Sequence, residues 1–202
     1  MMYILLPLAG GGWVGVSCSD WDDHYETSTS QGNGLTLWQQ MQQEPQLSDF
    51  CQVLEQTKVF RMHRKTAISY ADLMDGGQSF TVVAPKNGTF NRDSLLRLVQ
   101  TNQGDSVVEK FFVLNHISRS ATSLRSTGGD KTQLLLLNGK HVSIDATEIQ
   151  GVAISGPNRH AKNGVLHIAE RPLPYDYNLY EALCDIPEMA GIGGFLRQYE
   201  ED

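Results

Sequence analysis

The first half of the chain repeats apolar residues with the period of an α-helix. One set falls at i, i+3, i+4 and i+7, and comprises Leu47, Phe50, Cys51 and Leu54. Side chains at this spacing share one helical face, which predicts a helix packed against a sheet. Ser106 and Glu109 have the spacing of a capping box, so another helix is expected to begin there. Apolar residues surround that helix almost completely up to Asn115, which indicates burial.

The remaining pattern is that of strands. Phe80–Ala84 is a short apolar run typical of a buried strand, and Pro85 ends it because proline has no N–H for a ladder. Beyond residue 132 the period becomes two, and three further strands are expected at 133–137, 141–145 and 152–154. Asn138-Gly139 and Asn163-Gly164 are turn signals, the second leading into a strand that begins at Val165.

The N-terminus has the features of a targeting segment. Residues 1–17 are almost wholly apolar but too short to span a bilayer comfortably, which predicts a signal peptide. Gly15-Val16-Ser17-Cys18 resembles the lipobox of bacterial lipoproteins, in which the cysteine is lipidated after cleavage. No Lys or Arg precedes the apolar run, and Gly15 stands where leucine is usual. The alternatives are an uncleaved hydrophobic tail and a buried N-terminal strand.

Residues 18–34 are acidic and then rich in Thr, Ser, Gln, Gly and Asn, as in a solvated tether. The acidic stretch behind Cys18 resembles the surface-export signal of Bacteroidetes-type lipoproteins. This resemblance implies an outer-membrane lipoprotein of the cell envelope, exposed at the surface and attached to the membrane through its lipid alone. A linker with no export role is the alternative.

Three motifs resemble the signature boxes of the fasciclin-like domain. They comprise Thr81, Pro85, Asn87 and Phe90 in the first box, Asn115 and His116 in the second, and Asn163, Gly164 and His167 in the third. The resemblance covers residues 35–174. It implies an α+β fold, a β-wedge of two sheets with helices contributed mainly by the N-terminal half. We expect these nine residues to hold the fold rather than to bind a ligand.

The C-terminal segment repeats the beginning of this domain. Leu179 and Pro187 follow Leu37 and Pro45 by the same 142 positions. A repeat at about one domain length indicates tandem modules, so residues 178–202 are expected to be the start of a truncated second fasciclin-like domain. Alternatively, this segment packs on the first domain as an extra helix pair.

The net charge and the residue types limit the partners and the kinds of site that the chain is expected to have. A net charge of −7 argues against nucleic acid as a partner and against electrostatic adsorption to anionic lipid. His116 and His167 are the candidates for general acid–base work, yet no activated nucleophile accompanies them, so we expect no catalytic residue. The histidine spacing contains no metal-binding pair, and no metal or cofactor is expected. A bridge between Cys51 and Cys184 is not favoured by the sequence.

The resemblance implies a non-enzymatic adhesion or ligand-binding module with an extracellular glycan or protein as partner. Two alternatives remain open. One is a structural spacer in a multi-domain surface protein, and the other is a small-molecule carrier or hydrolase with a pocket formed by His116 and His167. The oligomeric state stays open.

Overall fold

A computed structural model describes residues 34–62, 64–101, 103–124, 132–185 and 187–197. The predicted signal peptide (residues 1–17), Cys18 and all of the predicted 18–34 tether except its last residue lie outside these ranges. The predictions made for them therefore stay predictions.

The helices come mainly from the N-terminal half. They are α1 (Leu37–Gln42), α2 (Ser48–Gln56), α3 (Tyr70–Asp75), α4 (Arg92–Val99), α5 (Gly104–Val108), α6 (Leu179–Asp185) and α7 (Ala190–Arg197). A 3-10 turn at Pro45–Leu47 joins α1 to α2. Thr36 begins α1 with a capping box, in which its side chain and that of Gln39 each accept the other's backbone N–H. The apolar face predicted around Phe50 is buried throughout.

Nine strands complete the described fold. They are β1 (Lys58–Arg61), β2 (Arg64–Ser69), β3 (Phe80–Pro85), β4 (Ile117–Ser118), β5 (Thr132–Leu135), β6 (His141–Ile144), β7 (Glu148–Ile149), β8 (Val152–Ala161) and β9 (Gly164–Ala169). β1 and β2 form an antiparallel hairpin of their own. The others form one sheet in the order β4-β3-β9-β8-β7-β6-β5. Only the β3–β9 pair of this sheet is parallel.

The large sheet is bent into two halves at β8. The pairing of β8 with β9 shifts register between Ser155 and Arg159, and Gly156 has a φ of +74° in this stretch. Such irregularities bend a strand and increase its twist. The two ends of the sheet also meet, because Ser118 bridges Leu136. The bent sheet is therefore the wedge, and the helices lie outside it.

Two apolar cores share the central strand β3. Val82 and Ala84 belong to the cluster formed with the helices. Val83 points the other way and belongs to the cluster formed with the β5–β7 half of the sheet. Because both faces of β3 are buried, its sequence is a continuous run of apolar residues. Burial of each large apolar side chain stabilises the fold by about 1.5–3 kcal/mol.

The α+β class is confirmed, with a large mixed sheet and several helices. The predicted capping box at Ser106 and Glu109 is wrong. α5 begins two residues earlier at Gly104, and no side chain caps it. The helix then continues as a π-helix (Glu109–Val113) and a 3-10 turn (Leu114–His116). Glu109 was misassigned because its side chain binds the backbone of Phe60 and the hydroxyl of Tyr70, which local spacing does not reveal.

Gly164 provides a test of how closely the sheet and α1 approach. Its φ is +149°, and a Cβ added there overlaps the backbone oxygen of Phe80 and lies 2.9 Å from Leu37 Cδ1. Gly139 also has a positive φ, +81°, but a Cβ there meets no atom within 4 Å.

We expect Gly139→Ala to lower the free energy of unfolding by about 1–2 kcal/mol. We expect Gly164→Ala to lower it by a further ~1–3 kcal/mol because of the overlap. Equal losses in urea denaturation contradict this account of the β3–β9 junction.

Candidate functional site

Asn163 joins three elements at the turn before β9. Its Oδ1 accepts a hydrogen bond from the backbone N–H of Leu37 at 2.7 Å, at the start of α1. Its Nδ2 donates to the carbonyls of Met74 at 2.8 Å and Gly76 at 2.7 Å, at the end of α3. Its backbone carbonyl accepts from the N–H of Phe80 at 3.1 Å. An amide has both a donor and an acceptor, and this buried side chain uses both to connect helices to the sheet.

Asn87 follows β3, which ends at Pro85, and caps α2 from outside the helix. Its Oδ1 accepts from the N–H of Asp49 at 2.9 Å, and its Nδ2 donates to the carbonyl of Pro45 at 2.8 Å. The first N–H groups of a helix have no partner within the helix, so this side chain supplies what a local cap normally would. The first box therefore connects the end of the central strand to the helix whose apolar face the sheet covers.

Both ring nitrogens of His116 are hydrogen-bonded to backbone groups. Nδ1 lies 2.7 Å from the carbonyl of Phe112, and Nε2 accepts the backbone N–H of Leu173 at 3.0 Å. Since a neutral imidazole has one donor and one acceptor nitrogen, these two bonds define a neutral ring protonated at Nδ1. Burial lowers its pKa to about 4, against the opposing effect of the Phe112 carbonyl. The ring of Phe112 also packs against His116 and Phe90, with centroids 4.8 and 5.0 Å apart.

Asn115 joins the same junction to the second half of the sheet. Its Nδ2 lies 3.1 Å from the carbonyl of Leu173 and 3.2 Å from that of Pro174. Its Oδ1 accepts from Asn138 Nδ2 at 2.8 Å, at the turn between β5 and β6. The pair Asn115-His116 thus anchors the chain that leaves β9.

Thr81 and His167 bind the segment that follows β4. Thr81 Oγ1 donates to the carbonyl of Ser120 and accepts from the N–H of Thr122 at 2.7 Å. His167 Nε2 lies 2.9 Å from the carbonyl of Thr122, while its buried Nδ1 has no hydrogen-bond partner among the described residues. Burial lowers the pKa of His167, opposed by the Thr122 bond and assisted by nearby His160. Both side chains hold irregular backbone against the sheet.

These contacts bury His116 and His167 away from the two clefts described below. Both rings are about 1% exposed, and neither lines the two clefts of the described surface presented below. A general base must present a free proton-accepting atom to the substrate. Both ring nitrogens of His116 are instead hydrogen-bonded to backbone. Nor does any group of three or more His, Cys, Asp or Glu among the described residues form a metal site. Cys51 is buried, which raises its pKa to about 12, and it is not bonded to Cys184.

Two clefts open on the described surface. One, of about 540 Å³, lies beside the first box and is lined by polar side chains such as Asp49, Arg92 and Asp93. The other, of about 920 Å³, lies between the β1–β2 hairpin and the helix that starts at Gly104. Its lining includes the buried carboxylate of Glu109, which the sequence indicated only as a helix cap. No local signal shows this role, because it depends on the hairpin packing against the π-helix.

The C-terminal helices repeat the beginning of the fold element by element. α6, a 3-10 turn at Pro187–Met189 and α7 each begin 142 residues after α1, the first 3-10 turn and α2. Their apolar positions differ in burial. Leu37, Phe50 and Val53 are 0% exposed, whereas their counterparts Leu179, Ile192 and Phe195 are 77, 51 and 57% exposed.

Glu181 holds the start of α6 on the first domain. Its carboxylate accepts from Lys140 Nζ at 2.8 Å, Tyr175 OH at 2.6 Å and the N–H of Asn178 at 3.0 Å, with Lys110 Nζ at 3.4 Å. Burial acts to raise the pKa of Glu181, but these donors outweigh it and lower the pKa to about 2. A polar cluster thus attaches the start of α6, while Leu179, Ile192 and Phe195 stay largely exposed.

Comparison with known proteins agrees with this architecture. The family model for the fasciclin domain matches residues 45–174. The chain belongs to the fasciclin domain family. Fasciclin domains are in general adhesion-related modules. The structure adds α1 to the matched region, since Leu37 is fully buried in the helix–sheet core.

Among solved structures, a pair of FAS1 domains from the insect cell adhesion molecule fasciclin I is similar to this chain. The identity is 15% and the TM-score 0.48, with 69% of this chain covered. The matched region spans 51% of that chain, about half its length. No curated protein sequence matches.

The burial of His116 predicts how the stability of this fasciclin domain depends on pH. Its folded pKa of about 4 lies below the ordinary value of 6.5, so the neutral ring stabilises the fold fully above pH 6.5. As the pH falls from 6.5 to 4, the unfolded chain binds a proton that the native ring does not, and up to about 1.4 kcal/mol of stability is lost per pH unit. We expect His116→Gln to flatten this slope in urea unfolding. His141→Gln, at an exposed position, is the matched control; an unchanged slope in His116→Gln counts against the buried neutral ring.

Proposed function

We propose that this chain is a non-enzymatic binding module of the cell envelope. In this proposal a lipid on Cys18 holds the protein at the outer surface, residues 18–34 give it reach, and the fasciclin domain presents a surface to an extracellular glycan or protein. Membership of an adhesion-related family carries the proposal.

The chemistry of the described residues supports binding rather than catalysis. The imidazole of His116 is buried, neutral and bonded to backbone at both nitrogens. The signature side chains Asn87, Asn163 and Thr81 likewise use their polar atoms on neighbouring backbone. Residues that satisfy backbone groups in this way stabilise the fold and are not available to a substrate.

The charge of the chain supports a partner class. The net charge is −7, and charge complementarity mainly affects association rate and partner choice. A neutral or basic partner is therefore favoured over a polyanion.

No described helix is long and apolar enough to cross a membrane.

The anchor is tested by expressing the full chain in a Bacteroidetes host and measuring the intact mass of the membrane-fraction protein. We expect cleavage after Ser17, a diacyl or triacyl mass increase on Cys18, and digestion by protease added to whole cells. Cys18→Ser removes the acylation site, whereas Cys184→Ser is a matched cysteine change that leaves it in place. An unmodified soluble protein that retains Met1 contradicts the anchor.

The binding role is tested with the same cells on immobilised glycans and matrix proteins. We expect cells with the wild-type chain to be retained on at least one surface, and cells with Cys18→Ser not to be. Retention that is independent of Cys18 contradicts a surface-anchored adhesin.

The repeated helices favour a second candidate function, that of a spacer in a multi-domain surface protein. We infer that residues 178–202 correspond to the opening helices of a second fasciclin module, because their elements and apolar positions repeat those of the first. A spacer predicts lipidation and surface exposure without retention on any ligand surface, so the two assays together separate the candidates.

A further inference from the structure

The 920 Å³ cleft contains a buried carboxylate, and one of its two oxygens accepts both of the hydrogen bonds assigned to it. Glu109 is 5% exposed and lines the cleft from the first position of the π-helix. Its Oε1 accepts from the N–H of Phe60 at 2.8 Å and from the hydroxyl of Tyr70 at 2.6 Å. Both donors are neutral. Burial and the Glu109 carboxylate raise the pKa of Tyr70, so this phenol stays protonated and continues to donate.

The negative charge of Glu109 has no ionic partner within the described part of the chain. No Lys, Arg or His described there lies within 4.0 Å of its carboxylate, and its second oxygen has no assigned hydrogen bond. A buried charge is costly unless an opposite charge or further donors compensate it. The cleft therefore offers an acceptor that a cationic group satisfies well.

The other charges of the cleft are already neutralised. Lys65 forms an ion pair with Asp105, which is 6% exposed at its side chain. Lys110 faces Glu181 at 3.4 Å and lies over the ring of Phe111. These pairings leave Glu109 as the charge that a ligand meets, which favours a cation over an anion.

Apart from the polar residues Gln103 and Ser106, the rest of the lining is apolar and aromatic. It includes Phe60, Met62, Val107, Phe111 and Leu114. Aromatic faces attract organic cations, and apolar walls bind an alkyl chain. The volume falls within the range of small-ligand sites, and π-helical segments occur frequently at functional sites.

We propose that this cleft is a binding site for an alkylammonium group, with Glu109 receiving the ammonium and the apolar wall receiving the alkyl chain. The site goes beyond the proposed adhesion role and does not depend on the Cys18 anchor. The same chemistry is offered by a free organic amine and by a lysine side chain of a protein.

The test measures binding to the purified full chain with three probes of one shape: hexylammonium, 1-hexanol and hexanoate. We expect hexylammonium to bind most tightly and hexanoate most weakly. Glu109→Gln keeps the size of the side chain and an oxygen acceptor but removes the charge, and we expect about a tenfold or greater loss of hexylammonium affinity. Affinity for 1-hexanol changes little. Glu188→Gln, at an exposed position on the C-terminal 3-10 turn, is the matched control.

A second variant keeps the proposal testable if Glu109→Gln impairs folding. Val107 is 43% exposed on α5 and lines the cleft, so Val107→Lys places a positive charge there without altering the core. We expect it to weaken hexylammonium binding by a similar factor, with an unchanged Tm. Val107→Met is the matched apolar control. Tighter binding of hexanoate, or equal hexylammonium affinity in all these variants, overturns the proposal.

A further arm separates the two sources of the ammonium. A lysine-bearing peptide is compared with the same peptide carrying norleucine, which removes only the ammonium. Preference for the lysine peptide over hexylammonium identifies a protein side chain as the occupant, and the reverse identifies a free amine. Failure of this site leaves the surface-retention assay of the adhesion proposal unaffected.

Discussion

The parallel pairing of β3 with β9 is the constraint on which the rest of the structure depends. Six consecutive residue pairs, from Phe80–Gly164 to Pro85–Ala169, hold two strands that are far apart in sequence. β3 is covered by the helices on one face and by the β5–β7 half of the sheet on the other. Because both cores contain side chains of this strand, loss of its register exposes both at once.

Polar side chains act at the edges of that pairing. Asn163 sets the approach of β9 to α1 and α3, Asn87 joins the end of β3 to α2, and His116 fixes the chain beyond β9. Each bonds to backbone that has no regular partner in a ladder or helix. Removing one leaves buried donors or acceptors unsatisfied, which costs more than the net gain of an average hydrogen bond. Signature positions of this kind therefore maintain the fold.

The surface divides into parts with different physical properties. The cleft beside the β1–β2 hairpin combines an apolar wall with a buried, uncompensated carboxylate, whereas the cleft beside Arg92 is polar. The C-terminal helices present apolar residues at positions where the first domain buries them.

The motifs of the sequence indicated the α+β class through their resemblance to a family. The sequence by itself also determined the strand at Phe80–Ala84, the helical face around Phe50 and the turn at Asn138-Gly139, and these three are local features. These follow from local period and turn chemistry, which act over a few residues. It did not determine the start of α5 at Gly104, the bend in β8 or the neutrality of His116. Glu109 binds Phe60 and Tyr70, and His116 binds Leu173, all more than 30 residues away. The bend in β8 comes from its irregular pairing with β9. Only the tertiary structure brings such groups together, because burial and long-range hydrogen bonding have no signature in neighbouring residues.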